Sequence, residues 1–347
     1  MLRVSAVIPT YNRREQVIKA IESVLAQTVP VDEIIVVDDG STDGTADTVR
    51  NRFGTRVRLF TQKNTGVSAA RNRGIGEAQA EWIAFLDSDD VWFPTKIERQ
   101  FEALALLGER FSLCYTDCVY EGDPARQRSI FEETGFAHAL KFGSVEEPLD
   151  YILAGREPFW TQSLLVRRSL LQDLHGFDES LVVREDTDLL FRLSFRTAFS
   201  FVAEPLVRID RARSREGLCN LYFTEGDRIY NVLKRLYTKW LALPEVVGSK
   251  YEKRVKELLR DVYYSSAESK IRGMRLDAAL GDVRKLNRVG DSYASVFATL
   301  LRRKIGKLRR FGGGARTGED SLSAPGHASR NSGRPAVDRS PRSNGGS

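Results

Sequence analysis

The sequence predicts an α/β protein: a Rossmann-like, mostly parallel mixed sheet flanked by helices, then a C-terminal helical region and a disordered tail. Three observations carry this. Short apolar, β-branched runs alternate with segments of helical period up to about residue 215, the pattern of βαβ units whose strands are buried on both faces. From 216 to 311 the apolar residues recur with helical period only, and charges fill the open faces. Residues 312–347 are rich in Gly, Ser, Pro and Arg and almost free of large apolar side chains, so burial there cannot offset ordering entropy. The division expected is therefore 1–215, 216–311 and 312–347.

The first strand is "VSAVI" (4–8). Val17, Ile18, Ile21, Val24 and Leu25 then share one helical face, and Pro30 follows the end of that helix. "IIVV" (34–37) is the second strand, and "STDGTADTVR" supplies capping residues for the second helix. "RVRLFT" reads as a third strand, "SAARNRGIGEA" as a third helix and "WIAFL" (82–86) as a fourth strand. The later part of the domain is mixed, with strand-like "FSLCYTD", "FWTQSLLVRR" and "FSFVAEPLVRI" between loops.

Composition narrows the classes. The 347 residues are 41% hydrophobic, enough for a sizeable core. No run of about 18 apolar residues and no signal-peptide pattern occurs, so a cytoplasmic protein is expected. Cys114, Cys118 and Cys219 form no C-x-x-C pair and read as buried thiols. His138, His175 and His327 have no metal-ligand spacing. The formal charge of +6 is modest for this length, and nucleic acid is not an expected partner.

Two acidic clusters fall at predicted strand ends, Asp38 with Asp39, and Asp87 with Asp89 and Asp90. In doubly wound sheets ligands sit outside the carboxyl ends of the strands. Carboxylates there can accept from a base or a ribose hydroxyl, or hold Mg²⁺ or Mn²⁺ on a diphosphate. Taken singly, either cluster also fits turn and N-cap chemistry.

Four stretches, in this order, resemble glycosyltransferase family 2, whose fold is called GT-A: "IPTYNR" (8–13), "VDDGSTDGT" (37–45), "NTGVSAARNRG" (64–74) and "LDSDD" (86–90). The resemblance implies an inverting transferase that moves a sugar from a nucleotide-diphosphate sugar, a UDP-sugar in first place, to a glycan or lipid-linked acceptor. It implies that Asp87 contacts the ribose, that Asp89 coordinates a divalent cation, Mg²⁺ or Mn²⁺, and that Asp39 accepts from the base. Thr10, Tyr11 and Asn12 would line the nucleotide pocket, with Pro9, Asp38, Asn64, Gly66 and Ser88 at the same site, and Arg71 would face the diphosphate. A solvated helix arginine is the other reading of Arg71, and a role in starting the next helix the other reading of Asp90.

"GFDESLVVREDTDLLFRL" (176–193) is similar to the family's loop and Glu-Asp motif, which makes Asp186 the base that takes the acceptor's proton. A carboxylate favoured by the helix dipole is its alternative. Helical spacing turns Glu185 and Asp188 to other faces, although Glu185, with Trp160, is also a candidate on the acceptor side. Trp160 fits a sugar platform or a core position equally. The Q-x-x-R-W motif and membrane helices of processive synthases are absent from the sequence, which favours addition of a single sugar.

Phe297, Leu300, Leu301, Ile305, Leu308 and Phe311 stripe a basic segment, 293–311, suited to an anionic bilayer surface or to packing on the domain. Competing functions are a sugar nucleotidyltransferase, whose glycine-rich signature with lysine is not found in "IPTYNRRE", a glycoside hydrolase, and a non-catalytic glycan or nucleic-acid binder.

Overall fold

The computed structural model describes residues 2–121, 128–136, 140–210 and 226–288, together with 292, 295, 296 and 298–300. The tail 312–347, Cys219, His138, His327 and most of the basic segment 293–311 lie outside these residues. In chain order the elements are β1 (Val4–Thr10), α1 (Gln16–Leu25), β2 (Glu33–Asp38), α2 (Thr45–Phe53), β3 (Arg58–Thr61), α3 (Val67–Glu77) and β4 (Trp82–Phe85). There follow β5 (Val91–Trp92), α4 (Lys96–Leu107), β6 (Leu113–Glu121), α5 (Ile130–Thr134), β7 (Phe142–Val145), α6 (Pro148–Ala154), β8 (Leu165–Arg167), α7 (Arg168–Asp173), α8 (Glu185–Leu193) and β9 (Phe199–Asp210). Three longer helices complete the described chain: α9 (Gly226–Leu241), α10 (Glu252–Arg272) and α11 (Leu276–Arg288).

The strands form one sheet in the order β3-β2-β1-β4-β8-β6-β9-β5, with β7 added against β9. β1, β2, β3 and β4 pair in parallel, as βαβ alternation requires. β8 then runs antiparallel to both β4 and β6, and β5 and β7 run antiparallel to β9. The mixed half therefore begins where the sequence loses its simple alternation.

Alternating side chains divide the core between the two faces of the sheet. Val7, Ile35, Val37, Ile83 and Phe85 join one cluster; Val4, Ala6, Ile8, Ile34, Val36 and Ala84 join the other. The first cluster continues into the C-terminal helices through Leu233, Leu236, Trp240, Val255 and Val262. Trp240 stacks on Phe191 of α8 at 3.8 Å between ring centroids, and its indole N–H donates to Asp188 at 3.1 Å. Lys239 bridges Asp188 (2.9 Å) and Asp178 (2.6 Å), and against the upward push of burial it helps bring Asp178 down to about 2. Helix α9 is thus fixed to α8 by stacking and by a buried carboxylate. Cys114 and Cys118 are buried free thiols, in keeping with their reading. No described helix is long and apolar enough to cross a membrane.

Candidate active site

The parallel pairing carries three loops to one rim. Thr10 lies opposite Asp38, the Asp39 amide donates to the Thr10 carbonyl (2.9 Å), and the Leu86 amide donates to the Val7 carbonyl (3.0 Å). The motif residues of Thr10–Arg13, Asp38–Gly44 and Asp87–Asp90 therefore meet at the carboxyl ends of β1, β2 and β4. Pro9, which has no N–H, is the next-to-last residue of β1, beside Val37. Tyr11 is 46% exposed at this rim.

Much of the motif builds the rim itself. Asn12 adopts a left-handed backbone (φ 51°); its Oδ1 accepts from the Thr42 amide and its own amide donates to Ser41 Oγ, each at 2.8 Å. Asp38 is buried and accepts from the Ser41 amide at 2.8 Å. Asp39, expected to accept from a base, already receives Gln62 Nε2 (2.9 Å), the Thr65 amide (3.0 Å) and the Gly66 amide (2.8 Å). An ionised carboxylate has about four acceptor positions, so roughly one remains for a ligand. Asn64 is exposed on the same turn.

Gly40 locks these loops together. Its φ is +83°, and a Cβ there would lie 2.9 Å from the Asn64 amide nitrogen and 3.2 Å from the Gln62 carbonyl. Gly40→Ala is expected to cost about 1–2 kcal/mol from the left-handed backbone alone, with a further loss as Asn64 is pushed away. Thermal unfolding with and without nucleotide checks this: lower stability with nucleotide affinity intact would mean that the turn does not shape the rim.

The acidic loop after β4 divides its labour. Asp87 accepts from Arg71 Nη2 at 2.7 Å. Asp89 pairs with Arg13; burial and the neighbouring Asp87 push its carboxyl above the usual range, against the pull of Arg13. Ser88 is buried between them. Asp90 is buried and accepts from the Asp210 amide at 3.1 Å, which anchors the end of β9. Helix α4 begins only at Lys96, so Asp90 does not start it.

A divalent cation fits this donor set. Asp87 and Asp89 are hard oxygen donors, and Asp89 already draws a cationic side chain. Among the described residues no group of three or more His, Cys, Asp or Glu could hold a metal, so diphosphate oxygens would have to complete the shell, a common mode for Mg²⁺.

Arg71 is neither a solvated helix arginine nor turned outward to a diphosphate. It is buried, with Nη1 on Glu185 (2.9 Å), Nη2 on Asp87 (2.7 Å) and its guanidinium over the Phe177 ring at 5.1 Å. Despite burial, these carboxylates hold its pKa above the ordinary arginine value. Glu185 is correspondingly buried and engaged, not free for an acceptor; burial and Asp186 push its carboxyl up to about 7 against Arg71.

Asp186, the next residue, is only partly buried at the start of α8 and accepts from the Thr187 amide at 2.7 Å. Arg184 enters α8 in a left-handed conformation (φ 64°) and reaches Glu157 at 2.9 Å. Burial pushes the Glu157 carboxyl up, and Arg184 only partly offsets it. Asp188 is fully buried, with Arg192, Lys239 and Trp240 as donors. Trp160 is partly buried, edge-on to Tyr120 with 6.2 Å between centroids.

Four residues here escaped the sequence reading: Arg13, Glu157, Arg184 and Ser68. Ser68, in the first turn of α3, has a buried hydroxyl without a protein hydrogen-bond partner, as does Thr10 at the end of β1. Position inside the motifs was the only signal for Arg13, Ser68 and Arg184, and Glu157 had none.

Comparison with known proteins agrees with the geometry. A family model described as glycosyl transferase family 2 matches residues 5–160. An uncharacterized glycosyltransferase of Rickettsia prowazekii is 29% identical over 315 residues, 89% of this chain and 92% of that one. Succinoglycan biosynthesis protein ExoO of Rhizobium meliloti is 34% identical over 190 residues, and the chain spans 54% of its length. Among solved structures, residues 1–349 of S. aureus TarS in complex with UDP-GlcNAc superpose with a TM-score of 0.57 at 19% identity, over 84% of this chain and 92% of that one. The sheet with its flanking helices is thus the GT-A fold, and residues 5–160 of the chain match glycosyl transferase family 2, a family of transferases.

Proposed function

We propose that this chain is an inverting glycosyltransferase that moves a single sugar from a nucleotide-diphosphate sugar, a UDP-sugar in first place, to a glycan or lipid-linked acceptor. One observation carries the reading: a single buried guanidinium, Arg71, joins Asp87 on the donor-side rim to Glu185, the neighbour of Asp186. Donor carboxylates and base are thereby held on one rigid frame, as a displacement with two reacting faces requires.

In this reading Asp87 receives the ribose hydroxyls, the remaining acceptor position of Asp39 takes a base N–H, and Thr10, Tyr11 and Asn12 wall the nucleotide. Asp89 would hold a divalent cation, with Arg13 moving aside. When bound, that ion neutralises charge developing on the diphosphate oxygens. Asp186 accepts the acceptor hydroxyl's proton while the new bond to the anomeric carbon forms and the bond to the diphosphate breaks. Trp160 supplies an apolar edge near the acceptor.

The UDP-GlcNAc bound by TarS and the succinoglycan role in ExoO's name support a sugar nucleotide donor and a polysaccharide context in the cell envelope. Work at the inner face of the membrane, with 293–311 on anionic lipid, fits a lipid-linked acceptor.

A thermal-shift series with UDP, GDP, dTDP and CMP sugars, with and without Mn²⁺, tests the donor side. One nucleotide class should stabilise the wild type in a metal-dependent way, by about 2.7 kcal/mol at a hundred times Kd, and Asp89→Ala should lose that metal dependence. Equal stabilisation of Asp89→Ala would remove Asp89 from the site.

A further inference from the structure

The turn between α10 and α11 exposes apolar side chains where a sequence under no other demand would place small or polar ones. Helix α10 ends in a Schellman pair: the Arg275 amide donates to the Lys270 carbonyl (2.8 Å) and the Met274 amide to the Ile271 carbonyl (3.1 Å). The left-handed position of this motif is usually glycine. Here it is Met274, at φ 56°, although Gly273 stands one residue earlier with an ordinary φ of −81°.

Met274 is 88% exposed. The conformation is unfavourable for a side chain, and the side chain it carries is apolar and in water. Ile271 (42%), Leu276 (62%) and Leu280 (50%) are exposed beside it, Leu276 and Leu280 one turn apart on α11. An adjoining side of α11 is the packed one, with Ala279 and Leu286 buried.

Charge identifies what covers this patch. Arg272, Arg275 and Arg284 are exposed near it, Arg272 lying 3.9 Å from Glu268 on the same helix. Among the carboxylates of 271–285, Asp277 is exposed, while Asp282 is buried on Lys234 and Lys270. Apolar side chains ringed by cations match the boundary between anionic headgroups and acyl chains. A two-fold contact between copies of this surface would instead set the same cations against themselves.

The position suits such a surface. Lys234 of α9 donates to Ser266 of α10 (2.7 Å) and to Asp282 of α11 (2.6 Å). Antiparallel α9 and α10 therefore carry the start of α9 and the end of α10 to the same side. At the start of α9, Arg228, Ile229 and Val232 line a small cleft with Val182 and Val183, in the loop that leads to Asp186. We propose that the α10–α11 tip, through Ile271, Met274, Leu276 and Leu280 with their arginines, docks on an anionic membrane surface on the side of the base. These residues are distinct in sequence from the segment 293–311, and the proposal does not depend on which donor or acceptor is used.

The test is co-sedimentation of the full chain with vesicles of phosphatidylcholine alone and of phosphatidylcholine with phosphatidylglycerol. Wild type should partition onto the anionic vesicles. Met274→Glu with Leu276→Glu should lose about tenfold or more in partitioning, and Arg272→Glu with Arg275→Glu should lose the preference for phosphatidylglycerol. Met274→Gly should bind more weakly and yet melt at a higher temperature, since glycine relieves the left-handed turn; a residue of purely structural use would not separate the two readouts. Three results would overturn the proposal: no wild-type binding, binding unchanged in all three variants, which would place the contact in 293–311, or self-association of the wild type that Met274→Glu with Leu276→Glu abolishes, which would make the patch a contact between copies.

Discussion

Arg71→Met is expected to destabilise the protein by about 3–5 kcal/mol, the range for removing one partner of a buried ion pair, and to lower turnover through both carboxylates that it positions. Methionine roughly keeps the apolar stem but leaves Glu185 buried without a counter-charge and frees Asp87 to move. The pH dependence distinguishes this cause from lost packing. Glu185 is raised from 4.5 to about 7 in the folded chain, so the folded state holds that proton more tightly than the unfolded one. Its stabilising contribution is complete below about 4.5 and is lost as pH rises through about 7. Without Arg71 the carboxyl rises further, because the nearest opposite charge is gone. The part of the deficit due to Glu185 should therefore be absent in acid and grow above about pH 7. Denaturant unfolding of both proteins from acid to well above pH 7 measures it; a deficit independent of pH would assign the loss to packing around Phe177 alone.

The example of Arg71 also shows what the sequence could disclose. Asp38, Asp39, Asp87 and Asp89 were legible because each cluster is local and follows an apolar strand, so pattern alone places it at a strand end. The partners of those carboxylates were not legible. Glu185 lies 114 residues from Arg71 along the chain, and nothing in "SAARNRG" indicates that the arginine is buried.

Asp39 shows the opposite case. A turn carboxylate looks available until the fold brings the amides of Thr65 and Gly66 onto it, 26 and 27 residues later. Helical spacing sets Asp188 aside from the base role, but its use as the anchor of α9 depends on Lys239 and Trp240, which the sequence places in an apparently separate helical region. Strand β5 has two residues, too few to show a period. In β7, Gly143 lies beneath the Phe201 ring, where a Cβ would come within 2.4 Å, so that strand is recognised by its partner and not by its own side chains.

Asp186→Asn should abolish most sugar transfer while leaving the donor bound. The substitution keeps the side chain's shape and an oxygen for the Thr187 amide, which Asp186 Oδ1 now accepts at 2.7 Å. It removes the capacity to take a proton together with one negative charge at the start of α8, so turnover should fall by about 10²–10⁴, the usual contribution of a general base. Donor affinity, set at Asp39, Asp87 and Asp89, should stay within about twofold, because a surface change away from those groups costs no more than about 0.5 kcal/mol. Steady-state turnover and nucleotide binding measured on the same preparation separate these terms. If Asp186 acted only as a favourable charge at the start of α8, the loss would appear as a few tenths of a kcal/mol of stability with turnover nearly intact, and the base would have to be another carboxylate on that face. Glu157 would then be the next residue to replace, since Arg184 and Thr187 hold it beside α8 and burial keeps its pKa raised.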